Sequence, residues 1–242
     1  MTATDHARQR GPALARGPWL AAAAIAMGAT VASGPAAAHP HVFVESSTSI
    51  VFDDDGRIDR VRHAWRFDPF YSTFAIQGFD TDANGLLSRE ELAPLSEENT
   101  RSLKAFDFFS FLYEDEAERA FGEVTEDWLE YDPESRQLTL YFELALAEPA
   151  DPYGHKVVLD VFDPEYFVAF SMYEALPFSL VDAPADCRLE MEKAGDLDPL
   201  TATMLAAIPP DQSIPEEYRS LTRTLSNTAI VSCGTTPEAA GE

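Results

Sequence analysis

Alternating apolar and polar positions mark much of this chain as β-strand. Residues 41–52 begin with strict alternation that puts Val42 and Val44 on the same side. An acidic turn ending in Gly56 follows, and residues 57–67 return as a second strand, which predicts a hairpin. The same kind of pattern predicts further strands over residues 124–131, 137–147, 156–162, 166–173 and 187–193.

A helical pattern occupies the chain between the second and third predicted strands. Asp68 can cap a helix that Pro69 begins. The next helix meets Pro94, so we expect it either to be short or to be rebuilt as a second helix from Ser96. Apolar residues recur every three positions in residues 96–113 and predict one buried helical face. These residues are Leu103, Phe106, Phe109 and Leu112.

Strands therefore lie on both sides of a helical insert that spans residues 68–113. This order predicts an α+β fold, in which an antiparallel β-sheet or sandwich carries the insert. A short helix over residues 199–207 and a helix then a strand over 216–233 should complete it, with a disordered tail over 234–242. Residues 39–233 are expected to form a single domain, because a chain of 242 residues can bury one sizeable core.

The first 38 residues look like an export signal. Three arginines precede an apolar run over residues 19–31, and the small residues that end at Ala38 offer a cleavage site. The run is short for a membrane span, so we expect cleavage near Ala38 rather than an uncleaved anchor. The mature protein would then begin near His39, lie in the periplasm and have no stable membrane insertion.

Acidic residues far outnumber basic ones, with 42 Asp and Glu against 17 Lys and Arg and a formal net charge of −25. Removal of the first 38 residues would take away three arginines and Asp5, which changes the net charge from −25 to −27. Nucleic acids and anionic membranes bind to basic surfaces, so this excess argues against both as partners. It suits an exported protein that attracts cations, or one that is simply well solvated.

The chain has two cysteines, Cys187 and Cys233. In an oxidising compartment an even number of cysteines favours one disulfide bond. Neither cysteine belongs to a CxxC motif, so the pattern gives no support to redox catalysis.

The strongest chemical signal is the twelve-residue stretch DTDANGLLSREE, residues 80–91. Ca²⁺ takes roughly six to eight oxygen ligands, so a short loop around it must offer oxygens on alternate residues and a glutamate at its end. The predicted ligands are the side chains of Asp80, Asp82, Asn84, Ser88 and Glu91 and the carbonyl of Leu86. Gly85 stands at the sharp turn of the loop. The insert is therefore EF-hand-like, although acidic surface turns use some of the same residues.

The segment His39-Pro40-His41 at the predicted new terminus is a second candidate site. An amine and two imidazoles suit Zn²⁺, Ni²⁺, Co²⁺ or Cu²⁺. His155 is a candidate third ligand, whereas His63 in a strand is more typical of a hydrogen-bonded packing residue.

Three carboxylates near a strand end, those of Asp160, Asp163 and Glu165, are a third candidate. Paired acids can serve general acid and base catalysis, but solvated acids at a turn explain the same pattern more simply. The chain has no GxSxG, HExxH, GxxxxGK[ST] or GxGxxG motif, so nothing in it points to an enzyme.

Several stretches together resemble a known family of exported bacterial proteins. They are HPHVFVES after the signal, WRFDPFYS, the loop FDTDANGLLSREEL, VFDPEYFVAF and the two late cysteines. That family is catalogued as domain of unknown function 1007 and is often labelled the periplasmic component of an ABC-type transport system. Its members are often encoded beside nickel or cobalt exporters, so the resemblance implies a periplasmic role in divalent-metal traffic. It also carries over His39 and His41 as transition-metal ligands and residues 80–91 as the calcium loop.

We therefore expect a non-enzymatic periplasmic calcium-binding protein that serves divalent-metal transport or homeostasis, with a membrane metal exporter or ABC transporter as partner. The first alternative is a nickel, cobalt, zinc or copper carrier that uses His39 and His41. The second is an acid-base hydrolase that uses Asp160, Asp163 or Glu165.

Overall fold

The computed structural model describes residues 40–209, 212–215, 218 and 221–234. The predicted signal segment, His39 and the tail after Gly234 lie outside the described residues. Much of the predicted helix before the last strand also lies outside them.

Two β-sheets make up most of the described chain. The strands of the first sheet are β1 (Val42–Phe52), β2 (Ile58–Phe67), β5 (Phe121–Asp132), β6 (Gln137–Ala150), β8 (Val168–Met172) and β9 (Phe178–Val181). Their order is β5-β6-β2-β1-β8, and β9 also pairs with β1. The strands of the second sheet are β3 (Ser110–Glu114), β4 (Ala117–Arg119), β7 (Val157–Val161), β10 (Arg188–Glu192) and β11 (Asn227–Ser232). Their order is β10-β11-β7-β3-β4.

The predicted hairpin of β1 and β2 is present and supplies the centre of the first sheet. The two strands pair antiparallel, with Val44 opposite Phe67 at one end and Ile50 opposite Val61 nearer the turn. In the turn, a carboxylate oxygen of Asp53 accepts hydrogen bonds from two backbone N–H groups, at 3.0 and 2.8 Å. Alternate residues of β1 are buried, as its sequence pattern requires.

Residues of both sheets share one hydrophobic core. Trp65 of β2 is central to it, with its ring centroid 4.8 Å from that of Phe142, 4.9 Å from Phe170 and 6.2 Å from Phe109. Near the chain end the predicted disulfide joins Cys187 to Cys233.

The described residues include the α-helices α1 (Pro69–Ala75), α2 (Arg89–Leu103) and α3 (Pro199–Ala206). A 3-10 segment, Lys104–Phe109, leads from α2 into β3. Among the described residues, no helix combines the length and the apolar character that crossing a membrane would require.

The predicted α+β class with a helical insert is wrong, because the described part of the chain is mostly β: strands take up 44% of it and helices 22%. The last part of the predicted insert is strand β3, and β4 and β9 are strands that the pattern did not predict. The first sheet is also not purely antiparallel, because β1 pairs in parallel with β8 and with β9.

The predicted helix over residues 96–113 fails because the chain turns sharply after α2. Asp107, Phe108 and Phe109 all have φ near +50°, a left-handed conformation that ends the helix. In contrast, Pro94 does not break α2, which runs on to Leu103. Proline removes one helical hydrogen bond, and packing of the helix against the first sheet offsets this cost.

Candidate metal centre

The acidic loop, residues 80–91, connects α1 to the first turn of α2. Helix α1 ends at Ala75, and a turn through Gly78 separates it from Asp80. The loop therefore does not continue directly from the preceding helix. Gly85 has φ +81°, which agrees with the sharp turn expected at this position, and Ala83 also adopts a positive φ of 57°.

Helix α1 is attached to the first sheet by two polar side chains. Asp68 caps the helix by accepting hydrogen bonds from two N–H groups of its first turn, both at 2.9 Å. Its second oxygen accepts a hydrogen bond from the backbone N–H of Phe43 in β1, at 3.1 Å. The buried hydroxyl of Ser72 accepts one from the N–H of Leu138 in β6, at 2.9 Å. These bonds turn Phe70 and Phe74 outward, where their side chains are 85% and 70% exposed.

Helix α2 is attached to the neighbouring strand β5. The hydroxyl of Ser96 donates to Asp127, and Arg89 pairs with Glu130. Leu92 in its first turn is fully buried in the core, and Leu87 in the loop packs against the same core. Both ends of the acidic loop are therefore held by the sheet.

Three carboxylates of the loop lie close together. Asp80, Asp82 and Glu91 each offer one oxygen, and these oxygens lie within 4.8 Å of one another. Among the described residues this is the one group of three or more His, Cys, Asp or Glu side chains with such an arrangement. Asp80 and Asp82 are exposed and Glu91 is half-buried, so an ion from solvent has access to the group.

Backbone N–H groups of the loop hold the two aspartates in place. Asp80 accepts hydrogen bonds from the N–H of Asn84 at 3.1 Å and of Gly85 at 3.0 Å. Asp82 accepts a second bond from the N–H of Asn84, at 3.0 Å. The backbone of residues 82–85 therefore curls around these two carboxylates.

The other three predicted ligands make contacts within the loop. The amide group of Asn84 donates to Asp82 at 2.7 Å and accepts from the N–H of Leu86, also at 2.7 Å. The side chain of Leu86 is 63% exposed. Ser88 caps α2 by accepting from the N–H of Glu91 at 3.2 Å. Asn84 therefore lies beside Asp82, and Ser88 beside Glu91.

Glu91 is the most strongly held carboxylate of the loop. One oxygen accepts from the N–H of Ser88 at 3.0 Å, which completes a capping box at the start of α2. The other accepts from the N–H and the hydroxyl of Thr81, at 2.8 and 2.9 Å. Hydrogen bonds from Ser88 and Thr81 lower the pKa of Glu91 to about 2. Glu91 therefore stays charged well below neutral pH.

The cluster concentrates negative charge at one place in the loop. Among the described residues no lysine or arginine pairs with these three carboxylates, and Arg89 pairs with Glu130 instead. Two like charges about 4 Å apart repel each other by about 1 kcal/mol in bulk water and by more near a protein surface. A bound divalent cation would replace this repulsion with attraction.

The histidines lie apart from this cluster. His41 contacts Phe167, with ring centroids 4.6 Å apart, and His155 pairs with Asp115 at 2.7 Å. The hydrogen bond with Asp115 raises the pKa of His155.

His63 is fully buried, and its two ring nitrogens contact the hydroxyls of Thr48 at 3.0 Å and Ser110 at 3.2 Å. Metal binding by His39 and His41 stays a prediction, because His39 lies outside the described residues.

The carboxylates of the predicted hydrolase site are engaged in structural contacts. Asp160 is buried and accepts from Arg223 at 3.0 Å and Thr228 at 2.6 Å. Asp163 is buried and accepts three backbone N–H bonds, all at 2.8 Å, from the turn that follows it. Glu165 accepts from the N–H of Ile214 at 2.7 Å. Burial raises the pKa of Asp163, although its hydrogen bonds oppose that effect.

One residue of the loop was missed by reasoning from the sequence. Thr81 is not at a ligand position of the calcium pattern, yet it holds one oxygen of Glu91 through both its N–H and its hydroxyl. The sequence offered one indication of this contact, namely a residue with a hydroxyl group directly after the first aspartate of the loop.

Comparison with the curated proteins finds no match. A family model does match residues 24–233 of the chain, which is most of its length, and its description is "Protein of unknown function (DUF1007)". The chain therefore belongs to the DUF1007 family.

Proposed function

We propose that this protein is a periplasmic calcium-binding protein whose acidic loop, residues 80–91, holds one Ca²⁺. The observation that carries the proposal is the approach of Asp80, Asp82 and Glu91 to within 4.8 Å of one another. Oxygen ligands are those that Ca²⁺ prefers, and a solvent-accessible carboxylate cluster that pairs with no described lysine or arginine attracts a hard cation.

The arrangement favours a loop that is partly built before the ion arrives. Backbone hydrogen bonds already orient Asp80 and Asp82, and the capping box already fixes Glu91. Less ordering of the loop is then needed on binding, which favours affinity. The carbonyl of Leu86 and the side chains of Asn84 and Ser88 would supply further oxygens.

The compartment argues for a structural rather than a signalling ion. The disulfide between Cys187 and Cys233 fits an oxidising compartment outside the cytoplasm. Sites in extracellular modules bind Ca²⁺ with dissociation constants on the order of 10⁻⁴ to 10⁻³ M, and calcium levels outside cells would keep such a site occupied. The ion would then hold the loop, and with it the start of α2, in one conformation. We propose that the protein is an accessory component of divalent-metal transport or homeostasis.

The test is thermal unfolding of the purified protein in chelator and in an excess of calcium, with calorimetric titration of Ca²⁺ and Mg²⁺. At one hundred times the dissociation constant, calcium should add about 2.7 kcal/mol to the free energy of unfolding. That gain corresponds to an increase in Tm of roughly 5 to 11 °C for a chain of this size.

Glu91→Gln should abolish calcium binding and the increase in Tm. Glutamine also completes a capping box, so the variant should still form α2. Glu90→Gln is the matched control. Glu90 precedes Glu91, its side chain is exposed and it is not part of the cluster, so the substitution removes the same charge elsewhere. Equal calcium binding by the Glu91→Gln and Glu90→Gln proteins would refute the proposed site.

A further inference from the structure

The acidic loop contains an asparagine that stands directly before a glycine. The chain has three asparagines, Asn84, Asn99 and Asn227, and of these only Asn84 precedes a glycine, Gly85. Asparagine is a chemically labile residue, because the backbone nitrogen of the next residue can attack its side-chain carbonyl and close a succinimide ring. Glycine favours this attack, since it has no Cβ to hinder the approach of its nitrogen.

Asn84 and Gly85 are both open to solvent. Their exposure is high, and no described heavy atom apart from the chain neighbours lies within 4 Å of the position that a Cβ on Gly85 would take. The loop therefore has room for the ring and for the water that later opens it. The other two asparagines lie in regular structure, Asn99 within α2 and Asn227 in β11, where the latter is 1% exposed.

Two hydrogen bonds of the loop act on the groups that would react. The Gly85 N–H donates to a carboxylate oxygen of Asp80 at 3.0 Å, and a carboxylate in this position helps to remove the proton as the nitrogen attacks. The Leu86 N–H donates to the side-chain oxygen of Asn84 at 2.7 Å, where it stabilises the negative charge that develops on this oxygen. The loop therefore activates both the attacking nitrogen and the carbonyl.

We propose that Asn84 is a site of spontaneous deamidation, and that the reaction records how long the loop has been without calcium. The Gly85 nitrogen forms a bond to Cγ of Asn84, the Cγ–Nδ2 bond breaks, and the proton of the Gly85 nitrogen leaves with the amide nitrogen as ammonia. Water then opens the succinimide at one of its two carbonyls. Opening at Cγ gives aspartate, and opening at the main-chain carbonyl gives isoaspartate.

The two products should change the acidic loop in opposite directions. Aspartate at residue 84 adds a further carboxylate beside Asp82, so the loop should bind Ca²⁺ more tightly. Isoaspartate inserts one extra atom into the main chain after residue 84. Glu91 then loses its register with Asp80 and Asp82, so this product should bind Ca²⁺ far more weakly.

Calcium should suppress the reaction, and this part of the inference rests on the proposed function. A bound ion would take the side-chain oxygen of Asn84 and the carboxylate of Asp80 as ligands, which keeps both groups from the attack. At one hundred times the dissociation constant the loop is empty for about one hundredth of the time. The rate of deamidation should therefore fall by about one hundredfold.

The experiment incubates the purified protein in mildly alkaline buffer, with chelator or with excess calcium, and follows residue 84 by mass spectrometry of tryptic peptides. Cleavage after Arg66 and Arg89 gives a peptide of residues 67–89 whose one asparagine is Asn84. The same peptide made synthetically gives the rate without the fold. In chelator the folded protein should lose Asn84 at least as fast as this peptide, while Asn99 and Asn227 stay intact.

Three variants test the parts of the loop. Asp80→Ala removes the acceptor of the Gly85 N–H, so deamidation in chelator should slow at least about tenfold. Glu90→Ala is the matched control and should leave the rate unchanged, because Glu90 lies outside the cluster. Asn84→Asp makes the first product directly and should bind Ca²⁺ more tightly than the unaltered protein in calorimetric titration.

Four results would contradict the inference in distinguishable ways. Slower loss of Asn84 in the folded protein than in the peptide would show that the loop protects this residue, and an unchanged rate in Asp80→Ala would refute the role of that carboxylate. If Ca²⁺ binds but does not slow the reaction, the record of calcium occupancy is refuted. If calorimetry detects no Ca²⁺ binding, the proposed function fails together with the calcium-dependent part of the inference, while the rate in chelator still decides whether Asn84 is a deamidation site.

Discussion

The two ends of α2 take part in two very different sites. At its first turn, Glu91 belongs to an exposed cluster of carboxylates that are all within twelve residues of one another along the chain. At its last turn, Leu103 lines an apolar cavity whose other walls come from neighbouring residues such as Phe106 and from strands β1, β2 and β8. The first site is made by local hydrogen bonds and charge, and the second by long-range packing.

This difference predicts a division of roles between the two ends. Exposed charges in water contribute little to stability, whereas buried apolar surface is the main stabilising term in folding. Substitutions at the cavity should therefore change the free energy of unfolding strongly. Substitutions in the acidic loop should act mainly through the binding of the proposed Ca²⁺.

The largest expected effect follows from removing Trp65, which is 1% exposed. Trp65→Ala should lower the free energy of unfolding by about 3–5 kcal/mol, because it takes away ring contacts and leaves a void in the core. Urea unfolding followed by circular dichroism measures the change. Trp65→Phe is the matched variant and should lose far less, since it keeps a ring in place. If Trp65→Ala lowered the free energy of unfolding by less than about 1 kcal/mol, packing around the cavity would not be a main source of stability.

The same contrast explains how much of the two sites could be predicted from the sequence. The spacing of Asp80, Asp82 and Glu91 is a local pattern, and these three residues do lie together. The cavity left no comparable signal, because its walls meet only after β1, β2 and β8 have paired. Trp65 looked like any other apolar residue of a strand, and only the folded protein shows that its buried N–H has no partner among the described residues.

The fold follows the same rule. The hairpin of β1 and β2 was predictable because both strands and their turn are adjacent in sequence. The parallel pairing of β1 with β8 and β9 was not, since it joins residues more than a hundred positions apart. Residues 107–109 turn the chain in a left-handed conformation without a glycine or a proline, so nothing local indicated the end of the helix.

The pH dependence of stability should also differ between the two regions, with a smaller effect. Burial lowers the pKa of His63 from 6.5 to about 3, and its ring stacks on Phe142 in the core. The unfolded chain therefore binds a proton at His63 before the folded protein does, so stability falls as pH decreases below about 6.5. Glu91, whose pKa is lowered to about 2, has the same sign of effect but only below about pH 4.5.

As the pH falls from about 7 to 5.5, His63 in the core should therefore lower the free energy of unfolding, whereas Glu91 in the loop should not change it. We expect the free energy of unfolding, measured in chelator, to fall by about 1 kcal/mol from His63 over this range. His63→Gln should flatten the dependence. His155 acts in the opposite direction, because its raised pKa stabilises the folded state at lower pH, and His155→Gln should therefore steepen it. An unchanged slope in the His63→Gln protein would assign the loss to other groups.

The smallest effect is expected for Asp82→Asn in chelator. The substitution relieves repulsion among three carboxylates but disturbs the bond from the side chain of Asn84, so the two changes nearly cancel. The free energy of unfolding should change by less than about 0.5 kcal/mol, as for most exposed positions. In excess calcium the same variant should lose most of the stabilisation that the ion adds. Asp54→Asn, at an exposed turn, should leave the free energy of unfolding unchanged both in chelator and in excess calcium. If Asp82→Asn also had no effect in calcium, the loop would be an acidic turn and the contrast between the two ends of α2 would concern packing alone.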